Sequence, residues 1–232
     1  MKQRIEQFSY AERKKKQHRI VAIIFTSIAV FVSLNLIMQF LIFPVRQVSV
    51  SMAPDVSSSS VIMVTPLKLK LKRGDVVLLE PRSNNELSKS KKIQNIFVKF
   101  FTANQFNLKN HNDFPGSQNE LRRIIGVPGD TIYMRDYVMY IKPEGEKHFL
   151  TEFELISKKY NVNFSVAPAQ WDTEIGVPGF FEEIHLGPDE YFVLGDNRKS
   201  CSDSRLWGSV ERKEISAKAL FCYFPFTKLK IY

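Results

Sequence analysis

Two serines one residue apart, in Ser49-Val50-Ser51-Met52-Ala53-Pro54, are the first residues along the chain with the makings of a reaction centre. A serine hydroxyl becomes a nucleophile only when a base takes its proton and hydrogen-bond donors receive the oxyanion that follows. Three further polar stretches could supply such partners. Arg73-Gly74-Asp75-Val76-Val77 is a turn entering a strand, and Arg122-Arg123-Ile124-Ile125-Gly126-Val127-Pro128-Gly129-Asp130 is a strand running into a tight turn. Gly195-Asp196-Asn197-Arg198-Lys199-Ser200-Cys201-Ser202-Asp203-Ser204-Arg205 is a polar loop after an apolar strand. Each alone is ordinary turn chemistry. Their order behind a single apolar N-terminal segment is far more specific. No metal-binding cluster is visible, and neither metal nor cofactor is expected.

The elements that must position these residues are short. Val61–Thr65, Asp75–Leu79, Leu121–Ile125, Thr131–Tyr133, Tyr137–Ile141, Tyr191–Leu194 and Ala217–Tyr223 have the β-prone, turn-bounded pattern of strands. The sequence therefore predicts a mainly β body, a barrel or a partly open sheet system. Residues 82–118 and 142–185 break the strand rhythm and read as insertions. The apolar patch Ile93–Phe101 either packs on the core or dips into a membrane surface.

Ahead of this body, Ile20–Phe43 holds 24 residues without a charge. As a helix they rise about 36 Å, enough to cross a hydrocarbon core of roughly 30 Å. Pro44 is expected to end that helix. Residues 1–19 carry +5 of the chain's net +9, leaving +4 for everything after the apolar run. Basic residues just before a span keep that end in the cytoplasm and send residues 44–232 across. The same unevenness argues against nucleic acid as a partner, because the folded part carries little of the excess. The run is long for a cleaved signal peptide and lacks a small-x-small site, so an uncleaved anchor is expected. With 232 residues, 44% of them hydrophobic, the chain suits one or two folded domains. Its two cysteines, Cys201 and Cys222, are too few for a disulfide scaffold. They could pair outside the cell, but spacing alone does not fix their distance, and free thiols are the favoured expectation.

With the four polar stretches in hand, the sequence resembles the bacterial type I signal peptidases. The family's serine box, Ser-x-Ser-Met-x-Pro-Thr, is matched by Ser49–Asp55, and its Gly-Asp-Ile/Val-Val box by Gly74–Val77. Its Lys-Arg-x-x-Gly-x-Pro-Gly-Asp box is matched from Arg123 to Asp130, and Gly-Asp-Asn-Arg-x-x-Ser-x-Asp-Ser-Arg by Gly195–Arg205. Trp207–Val210 and Ile215–Ala219 are similar to the family's last strands.

The resemblance implies a membrane-anchored serine endopeptidase with a Ser-Lys dyad, cutting signal peptides from exported preproteins at the outer face of the cytoplasmic membrane. It implies a signal-peptidase-like β core with a smaller inserted β and loop domain, behind one transmembrane helix. The expected layout is a basic tail 1–19, an anchor 20–43, a first core part 44–130 carrying the 82–118 insertion, an inserted domain 131–185 and a second core part 186–232. Carried over by position, Ser51 is the nucleophile, and its backbone N–H and the Ser49 hydroxyl are the oxyanion donors. Asp203 and Arg205 match a structural ion pair, with Arg123 in the same polar support.

This sequence departs from the pattern at the base. The family's lysine position holds Arg122, and residue 120 is Glu120. A lysine can lose its proton when burial lowers its pKa, whereas arginine keeps its charge and offers no lone pair. The serine that orients the family's lysine is Cys201, and the threonine closing the serine box is Asp55. The changes at 122 and 201 fit a site no longer built around a neutral lysine. Replacement bases to consider are His185 and, from the 82–118 insertion, Lys99 or Lys109; His111 and His148 are the remaining external histidines.

Two readings follow. One is preprotein cleavage by Ser51, reduced or dependent on another base. The other is a non-catalytic relative that binds preproteins or assists an active sister peptidase. The self-cleaving repressors, another Ser-Lys group, are disfavoured by the membrane span and the absence of an N-terminal DNA-binding helix pair.

Overall fold

Proline has no N–H, and its ring strikes the carbonyl four residues earlier, so an N-terminal helix cannot run through Pro44. A computed structural model of the chain describes residues 2–67, 70–79, 120–163, 179–199 and 201–232, with the side chains of 2–11 and 38–39 outside that description. In it helix α1 spans Lys2–Phe40 and stops short of the proline. Pro44 lies inside the first strand, β1 (Phe43–Arg46), opposite Met63. The expected anchor boundary at 43 is thus too late: Phe43 is buried in the β core. The basic tail, in turn, continues the helix instead of preceding it. The 26 residues Glu12–Ile37 are long and apolar enough to cross a membrane. Polar side chains within this stretch bond to the helix itself: Thr26 Oγ1 donates to the Ala22 carbonyl at 2.9 Å and Asn35 Nδ2 to that of Phe31 at 2.9 Å.

The body is mainly β. The larger sheet uses β1, β2 (Val61–Thr65), β3 (Val76–Leu79), β4 (Glu120–Gly126), β9 (Glu190–Leu194), β10 (Val210–Glu211), β11 (Ile215–Phe224) and β12 (Lys230–Ile231). Its order is β1-β2-β11-β3-β4-β9-β10, with β12 paired to β11. The long β11 serves two neighbours, running against β3 through Ile215–Lys218 and against β2 through Lys218–Phe224. Period-two alternation splits β3 between two cores. Val76 and Leu78 face a cluster with Met52, Val56, Ile62, Leu121 and Ala219, while Val77 and Leu79 face one with Ile124, Val193 and Ile215.

The second sheet comprises β5 (Thr131–Arg135), β6 (Val138–Lys142), β7 (Leu150–Thr151) and β8 (Phe181–His185), in the order β7-β6-β5-β8. Residues 142–185, expected to be loop-rich, thus contribute two strands and the short helix α2 (Glu152–Leu155). The strand expected from Tyr137 begins at Val138 instead. Asp136 and Tyr137 form the hairpin turn, both with positive φ (50° and 63°), as the right-handed twist of the flanking strands favours. The insertion 82–118, with the Ile93–Phe101 patch, Lys99, Lys109 and His111, lies outside the described residues, as do 164–178.

A buried ion pair ties the two sheets together. Arg198, in the loop after β9, donates through Nη2 to Glu152 Oε2 at 2.5 Å, with both side chains fully buried. Arg198 Nη1 also reaches the Tyr137 carbonyl at 3.1 Å, and Tyr160 donates its hydroxyl to Glu152 at 3.0 Å. Removing one partner of such a pair strands the other charge out of water. Glu152→Ala should therefore lower the stability of the detergent-solubilised protein by about 3–5 kcal/mol in chemical denaturation.

Candidate functional site

Ser51 reaches its place because its neighbour is greasy. Met52 is fully buried and Val56 nearly so, and together they pin the 47–60 loop into the core beneath β2 and β4. The loop is closed by two backbone bonds, Gln47 N–H to the Ser60 carbonyl at 2.8 Å and Ser59 N–H to the Gln47 carbonyl at 2.7 Å. From the other side, Asn197 N–H donates to the Ser51 carbonyl at 2.9 Å. Gly195 is required at this contact. A Cβ there would stand 2.7 Å from the Ser51 carbonyl oxygen and 2.1 Å from Cys201 Sγ. Asn163 completes the junction, its N–H to the Asp196 carbonyl at 2.9 Å and its carbonyl taking Arg198 N–H at 3.1 Å.

Successive residues of a strand face opposite ways, so β4 sends its two arginines to different tasks. Arg122 points its guanidinium at Ser51: Nη1 donates to Ser51 Oγ at 3.1 Å and to the Leu121 carbonyl at 2.7 Å. Nε donates to the Ser202 carbonyl at 2.9 Å, and Nη2 donates to the same carbonyl and to Glu120 Oε2, each at 2.5 Å. All five guanidinium hydrogens of this buried arginine therefore have acceptors. Burial pushes the Glu120 carboxyl above its ordinary value, although Arg122 pulls the other way.

Arg123 builds the support. Its Nε and Nη2 grip the two Asp196 oxygens at 2.8 and 2.6 Å, Nη2 reaches Asp55 at 2.8 Å, and Nη1 donates to the Gly74 carbonyl at 2.9 Å. The Tyr160 ring stacks against it at 4.0 Å. Burial opposes the charge on Arg123, but Asp196 and then Asp55 outweigh it and hold its pKa above the ordinary value. Asp55 is also paired with Lys230 from β12. Asp203 and Arg205 form a fully buried fork, Nε–Oδ1 and Nη2–Oδ2 both 2.8 Å, and Asp203 also accepts Gly195 N–H at 3.1 Å.

Around the Ser51 hydroxyl the structure assembles donors. Besides Arg122, Gln47 Nε2 lies 3.2 Å from Ser51 Oγ and 3.0 Å from Ser49 Oγ, and the two serine hydroxyls are 2.7 Å apart. The Ser51 N–H is 3.5 Å from Ser49 Oγ. Among the described residues, no lysine or histidine nitrogen is hydrogen-bonded to Ser51 Oγ. His185, weighed as a replacement base, is instead on the exposed edge of the second sheet, its Nδ1 3.2 Å from Thr131 Oγ1. Lys99 and Lys109 lie outside the described residues. Sequence reasoning missed Gln47, which no motif contains, and Lys230, which lies far along the chain from its partner. Glu120 was weighed only as a failed lysine.

Cys201 and Cys222 are both free and buried. Cys201 Sγ donates weakly to the Ser202 carbonyl at 3.6 Å, and burial pushes its thiol up to about 12.

Comparison with known proteins gives the class. Residues 17–224 match the family model described as signal peptidase, peptidase S26. The chain belongs to that family. It is 32% identical over 112 residues to signal peptidase I of Bacillus licheniformis, an alignment covering 47% of this chain and 53% of that protein. It is 23% identical over 180 residues to a probable signal peptidase I-2 of Synechocystis sp., covering 76% and 61%. The chain thus spans about half the length of the first of these relatives. Among solved structures, a signal peptidase I from Enterococcus faecalis aligns with 21% identity over 65% of this chain and 97% of that one, with a TM-score of 0.31.

Three outcomes test this geometry. Gly195→Ala should cost about 1–3 kcal/mol of overpacking, read as a lowered thermal midpoint. The Cys201 thiol should resist alkylation at pH 8 until the protein unfolds. Its raised pKa also has a sign. The unfolded thiol ionises near about 8.5 while the folded one keeps its proton, so stability falls as pH rises from there toward 12. Cys201→Ala should flatten that part of the stability profile relative to wild type.

Proposed function

We propose that this chain is a membrane-anchored member of the signal peptidase family that holds exported polypeptides at the outer face of the cytoplasmic membrane without cutting them efficiently itself. The observation that carries the reading is the bond from Arg122 Nη1 to Ser51 Oγ at 3.1 Å. A guanidinium in that place donates where a base would have to accept. General-base assistance contributes roughly 10²–10⁴-fold to such reactions, and among the described residues no base reaches the Ser51 hydroxyl.

Anchoring follows from the helix Glu12–Ile37. The orientation follows from the basic residues Arg13–Arg19, which precede the charge-free run beginning at Ile20. Strand β1 has four residues, so it carries the chain about 13 Å before the serine loop begins, which keeps that loop near the bilayer. An extended polypeptide edge beside it is the kind of ligand a short-stranded open sheet can pair with. The inserted domain is the sheet of residues 131–185, which supports the loop from Gly195 through Arg198 and Glu152. An active sister peptidase would supply the cleavage.

The test is preprotein processing by the full chain in detergent. Wild type and Ser51→Ala should both be silent, while Arg122→Lys should gain Ser51-dependent cleavage of about 10²-fold or more over the parent. Glu120 sits beside this position, and a carboxylate stabilises a protonated amine. Adding Glu120→Gln should therefore shift the pH optimum of the gained activity downward. Wild-type cleavage that disappears in Ser51→Ala overturns the reading.

A further inference from the structure

The directions of the protons around Ser51 define a ligand. Arg122 Nη1 and Gln47 Nε2 can only donate, and they lie 3.1 and 3.2 Å from Ser51 Oγ. Gln47 Nε2 also reaches the Ser49 carbonyl at 3.0 Å, so its two hydrogens are shared among three acceptors. The Ser51 hydroxyl proton has one acceptor among the described residues, Ser49 Oγ at 2.7 Å. Ser49 Oγ in turn also accepts from Gln47 Nε2 at 3.0 Å. One of these hydroxyls donates to the other, so the second hydroxyl proton of the pair has no acceptor among the described residues, and Ser49 is exposed. The Ser51 N–H is only 3.5 Å from Ser49 Oγ, a poor bond that leaves this donor available as well. The result is a buried cation joined to a pair of hydroxyls that keep one O–H and one N–H free for a ligand.

Charge follows the same direction. The Nη2 edge of Arg122 is matched by Glu120, whereas its Nη1 edge faces the serines with neutral oxygens only. The flanking groups are internally paired, Asp203 with Arg205, and Arg123 with Asp55 and Asp196. A neutral peptide carbonyl would gain ordinary hydrogen bonds here. A carboxylate would gain charge-assisted ones, about twice as strong.

We propose that the Ser49–Ser51 cluster binds the C-terminal carboxylate of a peptide, the product end left by endoproteolysis, in preference to an uncut chain. This rests on the non-cleaving reading above and names its ligand. The reaction class that supplies it is peptide-bond hydrolysis by another enzyme on the same side of the membrane. The protein then acts after the cut, holding the newly formed acid end.

The experiment uses the full chain in detergent at pH 7, titrated calorimetrically with the acetylated tripeptide of alanine as its free acid and as its C-terminal amide. The acid should bind about tenfold more tightly, the equivalent of roughly 1.4 kcal/mol. Ser49→Ala should bring the two within about threefold, and Ser49→Thr, which keeps a hydroxyl, should restore the difference. Equal binding of acid and amide, no binding of either at millimolar concentration, or a preference unchanged in Ser49→Ala each overturn the proposal. Acetate displacing the acid peptide at equal concentration overturns the peptide assignment in favour of a small-anion site. Preprotein cleavage measured on the same preparation separates the two ideas: cleavage by wild type defeats the non-cleaving reading, and loss of the acid preference in a silent protein defeats this one.

Discussion

A permanent cation donating to a serine oxygen is the constraint on which the rest of the site is arranged. Arg122 brings five hydrogens into a place where water has been removed, and each needs an acceptor. Two backbone carbonyls, a carboxylate and Ser51 provide them. A neutral amine, by contrast, has a lone pair to offer and fewer hydrogens to satisfy. Glu120 beside the guanidinium and Cys201 next to the accepting Ser202 carbonyl are intelligible on those terms. The Cys201 thiol donates only weakly, to the Ser202 carbonyl that Arg122 also uses.

The supporting network keeps its charges balanced by a different route. Asp55 adds a negative charge to a cluster that already holds Asp196, and Lys230, 175 residues further along the chain, offsets it. Burying charges costs several kcal/mol per ion, and good geometry only restores what burial removed. The site is therefore specified in shape by ionic contacts, with its net stabilisation drawn from the apolar cores on either side of β3.

Much of this was legible from the residues. The strands of the core and the order of the four polar stretches follow from local pattern and residue chemistry. The apolar helix did too, although its end was misjudged: Phe43 is as greasy as a lipid-facing residue and is claimed by the β core instead. Strands β7, β10 and β12 are two residues long, too short for a pattern, β1 begins inside the apolar run, and β8 is a strand because it pairs with β5, distant in sequence. Gln47 escaped for a related reason. A glutamine after a strand carries no sequence signal of its own, and only the folding of the loop brings its amide between two hydroxyls.

Only Leu41 and Ile42 separate the N-terminal helix from the first strand, and Ile42 N–H is still bonded back to the Ile37 carbonyl at 3.1 Å. So stiff a junction transmits rotation. When a bilayer is thicker or thinner than the apolar length of the helix, the helix answers by changing its tilt. The β body must then lean with it, so lipid composition would set the height and angle at which the serine loop meets its ligand.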